Sequence, residues 1–410
     1  MSCTYPLTLS LVNKSRKMIN IQDKKKCCGC NACGNACKHK AITFKTDNEG
    51  FWYPEFNKNK CVNCHLCEMV CPIINQTDTK KPLGVYAAQN NDRDDLYDSS
   101  SGGLFITLAN TIIKNDGVVF GAKFNSNWEV VHNYADTYKG IRAFMGSKYV
   151  QSWVGKSYCE VQRFLEESKP VLFSGTPCQI AGLKLFLRKD YPNLLTVDII
   201  CHGVPSPKVW GKYLNEIKKK NNDYVIKEIS FRDKRLGWKR FSFAVTVCKS
   251  PCYSKSDSYS FSHIFNKDPY MRLFLANLIL RPSCYSCPVK GGKNMSDLTI
   301  ADFWGIEQAH QELYDKGGVG LVIANTSKGL RALDRSQMKI TEVTLQEATA
   351  KNPLYFHSVG EPSKRKKTFS LINNTNMQMD EIVRKIFHIP YSTRIKRKLK
   401  GLLRELVNYK

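Results

Sequence analysis

The chain has 410 residues, is 42% hydrophobic and carries modest glycine and proline (25 and 16), which allows two or three domains with sizeable cores and excludes fibrous and low-complexity classes. No apolar run approaches the roughly 18 residues of a membrane span, and residues 1–19 hold no apolar segment with a cleavage site, so a cytoplasmic protein is expected. The formal net charge is +26 and there are 17 cysteines; the charge favours acidic partners, and the bunching of the cysteines favours iron or zinc over disulfides.

After the N-terminal arm (1–19, with Cys3), a small module is predicted over 20–78. "CCGCNACGNAC" places Cys27, Cys30, Cys33 and Cys37 at C-x2-C-x2-C-x3-C, and "CVNCHLCEMVCP" repeats that spacing with Cys61, Cys64, Cys67 and Cys71. Three closely spaced thiolates wrap one face of a cubane while a fourth comes from elsewhere. Structural zinc prefers two pairs with a longer spacer, so it fits these runs poorly. The pattern resembles bacterial-type two-cluster ferredoxins, in which the fourth cysteine of each run serves the other cluster. That resemblance implies one 4Fe-4S cluster on Cys27, Cys30, Cys33 and Cys71, and another on Cys61, Cys64, Cys67 and Cys37. Lys38 stands where proline commonly follows the fourth cysteine, a change of local turn rather than of ligand. Cys28 lies outside the pattern.

"NQTDTKKPLG" (75–84) reads as a linker. The helical "LFITLANTIIKN" then precedes the strand "GVVFGAKF", and "PVLFSG", "QIAGLKLFLRK", "LLTVDIIC" and "SPKVWGKYLNEIKKK" alternate strand and helix. This alternation predicts an α/β domain with a mixed, partly parallel sheet over 79–360. "ISFRDKR" and "RFSFAVTVCKS" read as a more antiparallel stretch, and "DLTIADFWG" as a further strand.

Within this domain Gly175 ends a strand, Thr176 suits a helix cap and Pro177 the first helical position, which sets Cys178 on the first turn. There the helix dipole favours a thiolate. Cys201 ends the next strand, and parallel strands end on one sheet edge, so Cys178 and Cys201 can be neighbours. Cys284 and Cys287 form a C-x2-C pair before a later strand. These four would make a third cubane. A nucleophilic Cys178 competes with that reading; Cys248 or Cys252 could replace one ligand, and Cys159 reads as an ordinary helical residue.

At these residues the chain resembles the coenzyme F420 hydrogenase/dehydrogenase beta-subunit family, in the form with an N-terminal ferredoxin. The matching stretches are "SSSGGLFITLA", "GSKYVQS", "VLFSGTPCQIAGLK", "VDIICHGVPSPKVW", "FRDKRLGWK", "RPSCYSC" and "TIADFWG", in order over 83–330. The resemblance implies an iron–sulfur flavoprotein: α+β and α/β, a small ferredoxin domain followed by a larger FAD-binding domain (about 83–165 and 166–340). It supports the third cluster and suggests cofactor contacts from Ser101, Gly102, Gly103, Lys148, Tyr149, Gln151, Thr176 and Gln179. Lys148 and His202 are the weak catalytic candidates. Ser101–Gly103 also fit a plain Ser-rich helix cap, and a loop histidine is commonly just solvated. No G-x-G-x-x-G or P-loop pattern occurs, against a nicotinamide Rossmann domain or an NTPase.

From Glu361 to Lys410 there are 13 Lys+Arg against four Asp+Glu. Ile395, Leu399, Leu402, Leu403, Leu406 and Val407 recur on one helical face, which fits either an anionic lipid surface or docking on protein. The expected function is passage of electrons between ferredoxin-type clusters and FAD, for two-electron conversion of a substrate such as coenzyme F420 or a glycan or lipid precursor. The alternative is a non-catalytic electron-transfer subunit of a larger complex. A ferredoxin or another electron carrier is the expected redox partner. No basic module interleaved with aromatics is present, so nucleic acid is not an expected partner.

Overall fold

A computed structural model describes residues 21–221, 224–249 and 257–388. The strands in chain order are β1 (Ile42–Thr46), β2 (Trp52–Phe56), β3 (Gly84–Asn90), β4 (Val118–Phe124), β5 (Val130–Ala135), β6 (Val171–Gly175), β7 (Leu194–Ile199), β8 (Tyr224–Asp233), β9 (Ser242–Lys249), β10 (Ser258–Ile264), β11 (Leu298–Asp302), β12 (Gly320–Ala324) and β13 (Met338–Glu342). β1 and β2 form an antiparallel hairpin in the cysteine-rich region. Eight strands form one mixed sheet in the order β13-β3-β12-β11-β7-β6-β4-β5.

The parallel centre of that sheet is β4, β6, β7 and β11. Their sequences are continuous apolar runs because helices cover both faces. Val118, Phe120, Val171, Phe173 and Leu194 pack beneath the Ser157–Glu166 and Pro177–Leu187 helices, with Val161, Ile180 and Leu183. Val119, Leu172, Leu195 and Val197 point the other way, against Ile106, Leu108 and Ala109 of the Leu104–Lys114 helix. The strict alternation of side chains along each strand divides the core into these two layers.

The expected antiparallel stretch is a separate sheet, β10-β9-β8. It closes over an aromatic core in which Trp210, Phe231, Phe243 and Tyr270 contact one another at 5.1–6.2 Å. Residues from 361 had the composition of a basic tail, but those up to 388 are folded into this core. The Arg365–Asn373 and Met379–Phe387 helices bury Phe369, Ile372, Met379, Ile382, Val383 and Ile386. The second begins where the Glu216 carboxylate accepts the Met379 N–H at 3.0 Å, an anion at a helix start. The apolar face expected at 395–407 lies outside the described residues. Among those described, no helix is long and apolar enough to cross a membrane.

Candidate iron–sulfur relay site

The two cysteine runs share a backbone as well as a spacing. In each, the residues flanking the second cysteine have positive φ: Gly29 (71°) and Asn31 (62°) around Cys30, and Asn63 (54°) and His65 (56°) around Cys64. Glycine, asparagine and histidine are the residues that tolerate this region best. Each pair of reversals turns the chain around its three cysteines and leads into a short helix, Ala32–Ala36 or Leu66–Met69. Cys71 returns to the first run: the charges of Cys27 and Cys71 both bear on Cys33, whose thiol burial holds well above its ordinary range. Cys37 crosses the other way and lines one small cavity with Cys61, Cys64 and Cys67. Cys67 bears on Cys33 as well, so the two groups lie close to each other.

The third group assembles at the carboxyl edge of the large sheet. β6 and β7 are parallel neighbours with Gly175 opposite Asp198, so Cys178 and Cys201 each stand three residues past a paired position. Pro177 starts the Cys178 helix, and the Gln179 side chain accepts the Thr176 N–H at 2.9 Å, fixing that turn. Thr176 Oγ1 lies 3.2 Å from Cys178 Sγ. Cys284 Sγ accepts the Val204 N–H at 3.4 Å, which ties the C-x2-C turn to the loop after Cys201. Burial pushes Cys201 up to about 12 and Cys287 up to about 11, with Cys178 adding to both. Cys284 feels Cys201, Cys178 and Cys287 together.

Four thiols crowded this way resist ionising together unless a cationic centre lies among them. Among the described residues no group of three or more His, Cys, Asp or Glu side chains is arranged to hold a single metal ion. A cubane binds each thiolate through a different iron, whereas one zinc takes all four at a single centre. Cys248 is buried and disulfide-bonded, so it does not substitute for a member of this group. Cys159 is exposed on its helix.

Sequence reasoning passed over Cys28, which fills the gap between two of the groups. Its thiol hydrogen bonds with Cys178 and with Cys30; the bond to Cys28 and burial together raise the Cys178 thiol. The approach is tight elsewhere too: a Cβ at Gly182 would stand 3.0 Å from Cys30 Sγ, so the helix carrying Cys178 has glycine there. Arg281, just before Cys284, is completely buried at the same seam. It donates to Cys27 O (2.7 Å), Trp52 O (3.0 Å), Gln151 Oε1 (3.2 Å) and Cys27 Sγ (3.4 Å). None of these partners is a carboxylate, and a buried cation without an anion costs several kcal/mol. An anionic cluster on Cys27 would supply that missing charge. Around the seam, Trp153 meets Phe44 and Trp52 at 5.3 and 5.0 Å, and Arg365 binds Glu49 through two bonds of 2.7 and 2.5 Å.

The remaining candidates lie in two places. Ser101, Gly102 and Gly103 precede the Leu104–Lys114 helix, where a Cβ on Gly102 would strike Ala88 O and Gly320 N, so strand backbone fills the space beside it. Lys148 donates to Ala143 O (2.9 Å) and Met145 O (2.7 Å), and desolvation lowers it to about 7. Tyr149 stacks on Phe274 at 4.7 Å and accepts from Arg232. Gln151 and Gln179 are instead engaged inside the protein, on Arg281 and on Thr176 and Ser152. His202 Nε2 pairs with Asn277 Oδ1 at 2.6 Å, and burial holds the ring below its ordinary range. Beside Ser100 and Tyr149 stands a constellation not singled out from the sequence. Buried Arg232 forms a fork with Asp302 (2.8 and 2.9 Å), and Trp238, stacked on Trp304 at 4.9 Å, donates to the same carboxylate. Its members fall in the stretches "FRDKRLGWK" and "TIADFWG", which was the available signal.

Residues 168–349 match a family model that describes the C terminus of the beta subunit of coenzyme F420 hydrogenase/dehydrogenase, and residues 26–73 match the 4Fe-4S dicluster domain. No curated protein matches the chain. Among solved structures, a chain from the F420-reducing [NiFe] hydrogenase complex of Methanosarcina barkeri aligns at 16% identity and a TM-score of 0.44, covering 72% of this chain and 93% of that one. The segment 168–349, which carries Cys178, Cys201, Cys284 and Cys287, is thus similar to the C-terminal part of the coenzyme F420 hydrogenase/dehydrogenase beta subunit, and a segment similar to a 4Fe-4S dicluster domain precedes it.

Proposed function

We propose that the chain is an iron–sulfur oxidoreductase that conducts electrons between an external carrier and a flavin in its larger domain. The observation that carries this is the contact of Cys28 with both Cys30 and Cys178, which leaves one side chain between two of the three cysteine groups. In this reading Cys37, Cys61, Cys64 and Cys67 hold an outer cluster, Cys27, Cys30, Cys33 and Cys71 an inner one, and Cys178, Cys201, Cys284 and Cys287 a third. Bound cubanes supply one-electron carriage, and bound FAD supplies exchange of a hydride equivalent. In this reading the outer site lies nearest the solvent. Cys64 is exposed, whereas Cys30 is 8% exposed and packed beside Gly182 and Tyr158. Ser101, Gly103, Lys148 and Tyr149 are the proposed flavin contacts, with coenzyme F420 or a glycan or lipid precursor as substrate candidates.

A second reading, an electron-transfer subunit without its own substrate, is favoured by the outer face. Val62, Met69 and Ile74 are 53–59% exposed there, and Lys58 and Lys60 are exposed beside Cys61. Analysis of anaerobically purified protein tests the first reading. About twelve irons, matching sulfide and one flavin per chain are expected from three cubanes and FAD. About eight irons would remove the third site, and a colourless preparation without flavin would defeat the reading. With a low-potential donor, selective turnover of one acceptor separates an enzyme from a carrier subunit.

A further inference from the structure

We propose that Arg281 raises the reduction potential of the inner cluster site above that of the outer one. This deepens the reading above and rests on its assignment of Cys27 to a cluster.

The argument is electrostatic. The guanidinium is wholly buried, donates directly to Cys27 Sγ at 3.4 Å, and also holds the Cys27 carbonyl at 2.7 Å. A hydrogen bond and a positive charge at a ligand sulfur stabilise the more negative, reduced state and raise the potential. The effect is strong here because water is excluded and no carboxylate neutralises the cation: its other acceptors are Trp52 O and Gln151 Oε1. Its guanidinium lies over the rings of Tyr53 and Phe51, 4.2 and 5.6 Å away. Gly29 adjoins it closely: a Cβ there would lie 2.9 Å from Arg281 Nη1, so the run's positive-φ glycine also makes room for the cation. The described residues around the outer group offer nothing comparable. Lys58 and Lys60 are solvent-exposed, where their charge is screened. Two runs of identical spacing therefore acquire different potentials from one residue 254 positions away from Cys27. The step itself is simple: one electron enters, no bond breaks and no proton is required.

The test is an anaerobic redox titration of the full-length protein, poised with dithionite and mediators and followed by electron paramagnetic resonance. Three one-electron components are expected in the wild type. The inner one is identified by its loss in Cys71→Ser. In Arg281→Gln that component moves negative, so that at the wild-type midpoint its reduced-to-oxidised ratio falls about tenfold, 59 mV for a one-electron couple. Arg281→Lys gives a smaller shift in the same direction. Gln151→Glu sets a carboxylate against the guanidinium while leaving Arg281 in place, and reproduces the negative shift. An inner component unmoved in both Arg281→Gln and Gln151→Glu, with iron content retained, overturns the proposal, as does an equal shift of all three components. Should Arg281→Gln lose iron, Gln151→Glu alone decides. A wild type lacking three such components refutes the cluster assignment instead, which keeps the two failures distinct.

Discussion

The two cysteine runs are alike in sequence and in backbone but opposite in surroundings. Both wrap three cysteines with the same pair of positive-φ residues. The outer run faces solvent with Cys64 and Val62 exposed, the latter at 57%. The inner run is pressed into the larger domain, where Cys28 meets Cys178 and Arg281 meets Cys27. Local sequence builds the holder; tertiary contact decides which holder faces solvent and which faces the larger domain.

That contrast can be broken in graded ways. The largest effect is expected from the ligands themselves. Cys71→Ser should strip the inner site and Cys37→Ser the outer one, each lowering iron from about twelve to about eight per chain; an uncrossed result, with Cys71→Ser sparing the inner signal, would show that each run keeps its own fourth cysteine. Next comes the seam. Glu49→Ala leaves the buried Arg365 guanidinium without its fork and should cost about 3 kcal/mol, read as a lower melting temperature. Gly182→Val forces a side chain against Cys30 Sγ and should cost about 1–3 kcal/mol while perturbing only the inner cluster's spectrum. A change in the outer signal instead would contradict the division.

The smallest effect concerns pH. Asp198, opposite Gly175 in the sheet, is completely buried, and burial outweighs the nearby polar groups of Thr299, Ser296 and Asn294 to raise it to about 7. A carboxyl with a raised folded pKa keeps its proton more tightly in the fold. Stability is therefore undiminished below the unfolded pKa near 4 and falls as pH rises through about 7. Asp198→Asn should be more stable than the wild type at pH 8, by on the order of 2 kcal/mol, with the gap closing towards pH 4. A gap independent of pH would mean that the carboxyl is ionised throughout.

How much of this was legible follows from how local each signal is. The ferredoxin cysteines were readable because spacing within eleven residues fixes them. Cys178 and Cys201 were readable because a helix start and a strand end are local, and parallel topology does the rest. Cys28 was not: its partner Cys178 lies 150 positions on, and nothing around Cys28 marks it. Arg281 reads as an ordinary basic residue until Cys27, Trp52 and Gln151 close over it. The segment after 361 was misjudged because its lysines and arginines dominate its composition, while Phe369, Ile372, Ile382 and Val383 decide its burial. The Arg232–Asp302 fork needed two strands from different sheets to meet.

The central claim is that the inner and third sites are neighbours separated by the Cys28 side chain. Electron paramagnetic resonance of the fully reduced protein tests it most directly, since reduced clusters that close share a magnetic interaction. The account predicts a broadened, coupled spectrum in the wild type that collapses to the two-cluster ferredoxin pattern in Cys178→Ser. A wild-type spectrum identical to that of Cys178→Ser, with about eight irons in each, would contradict it.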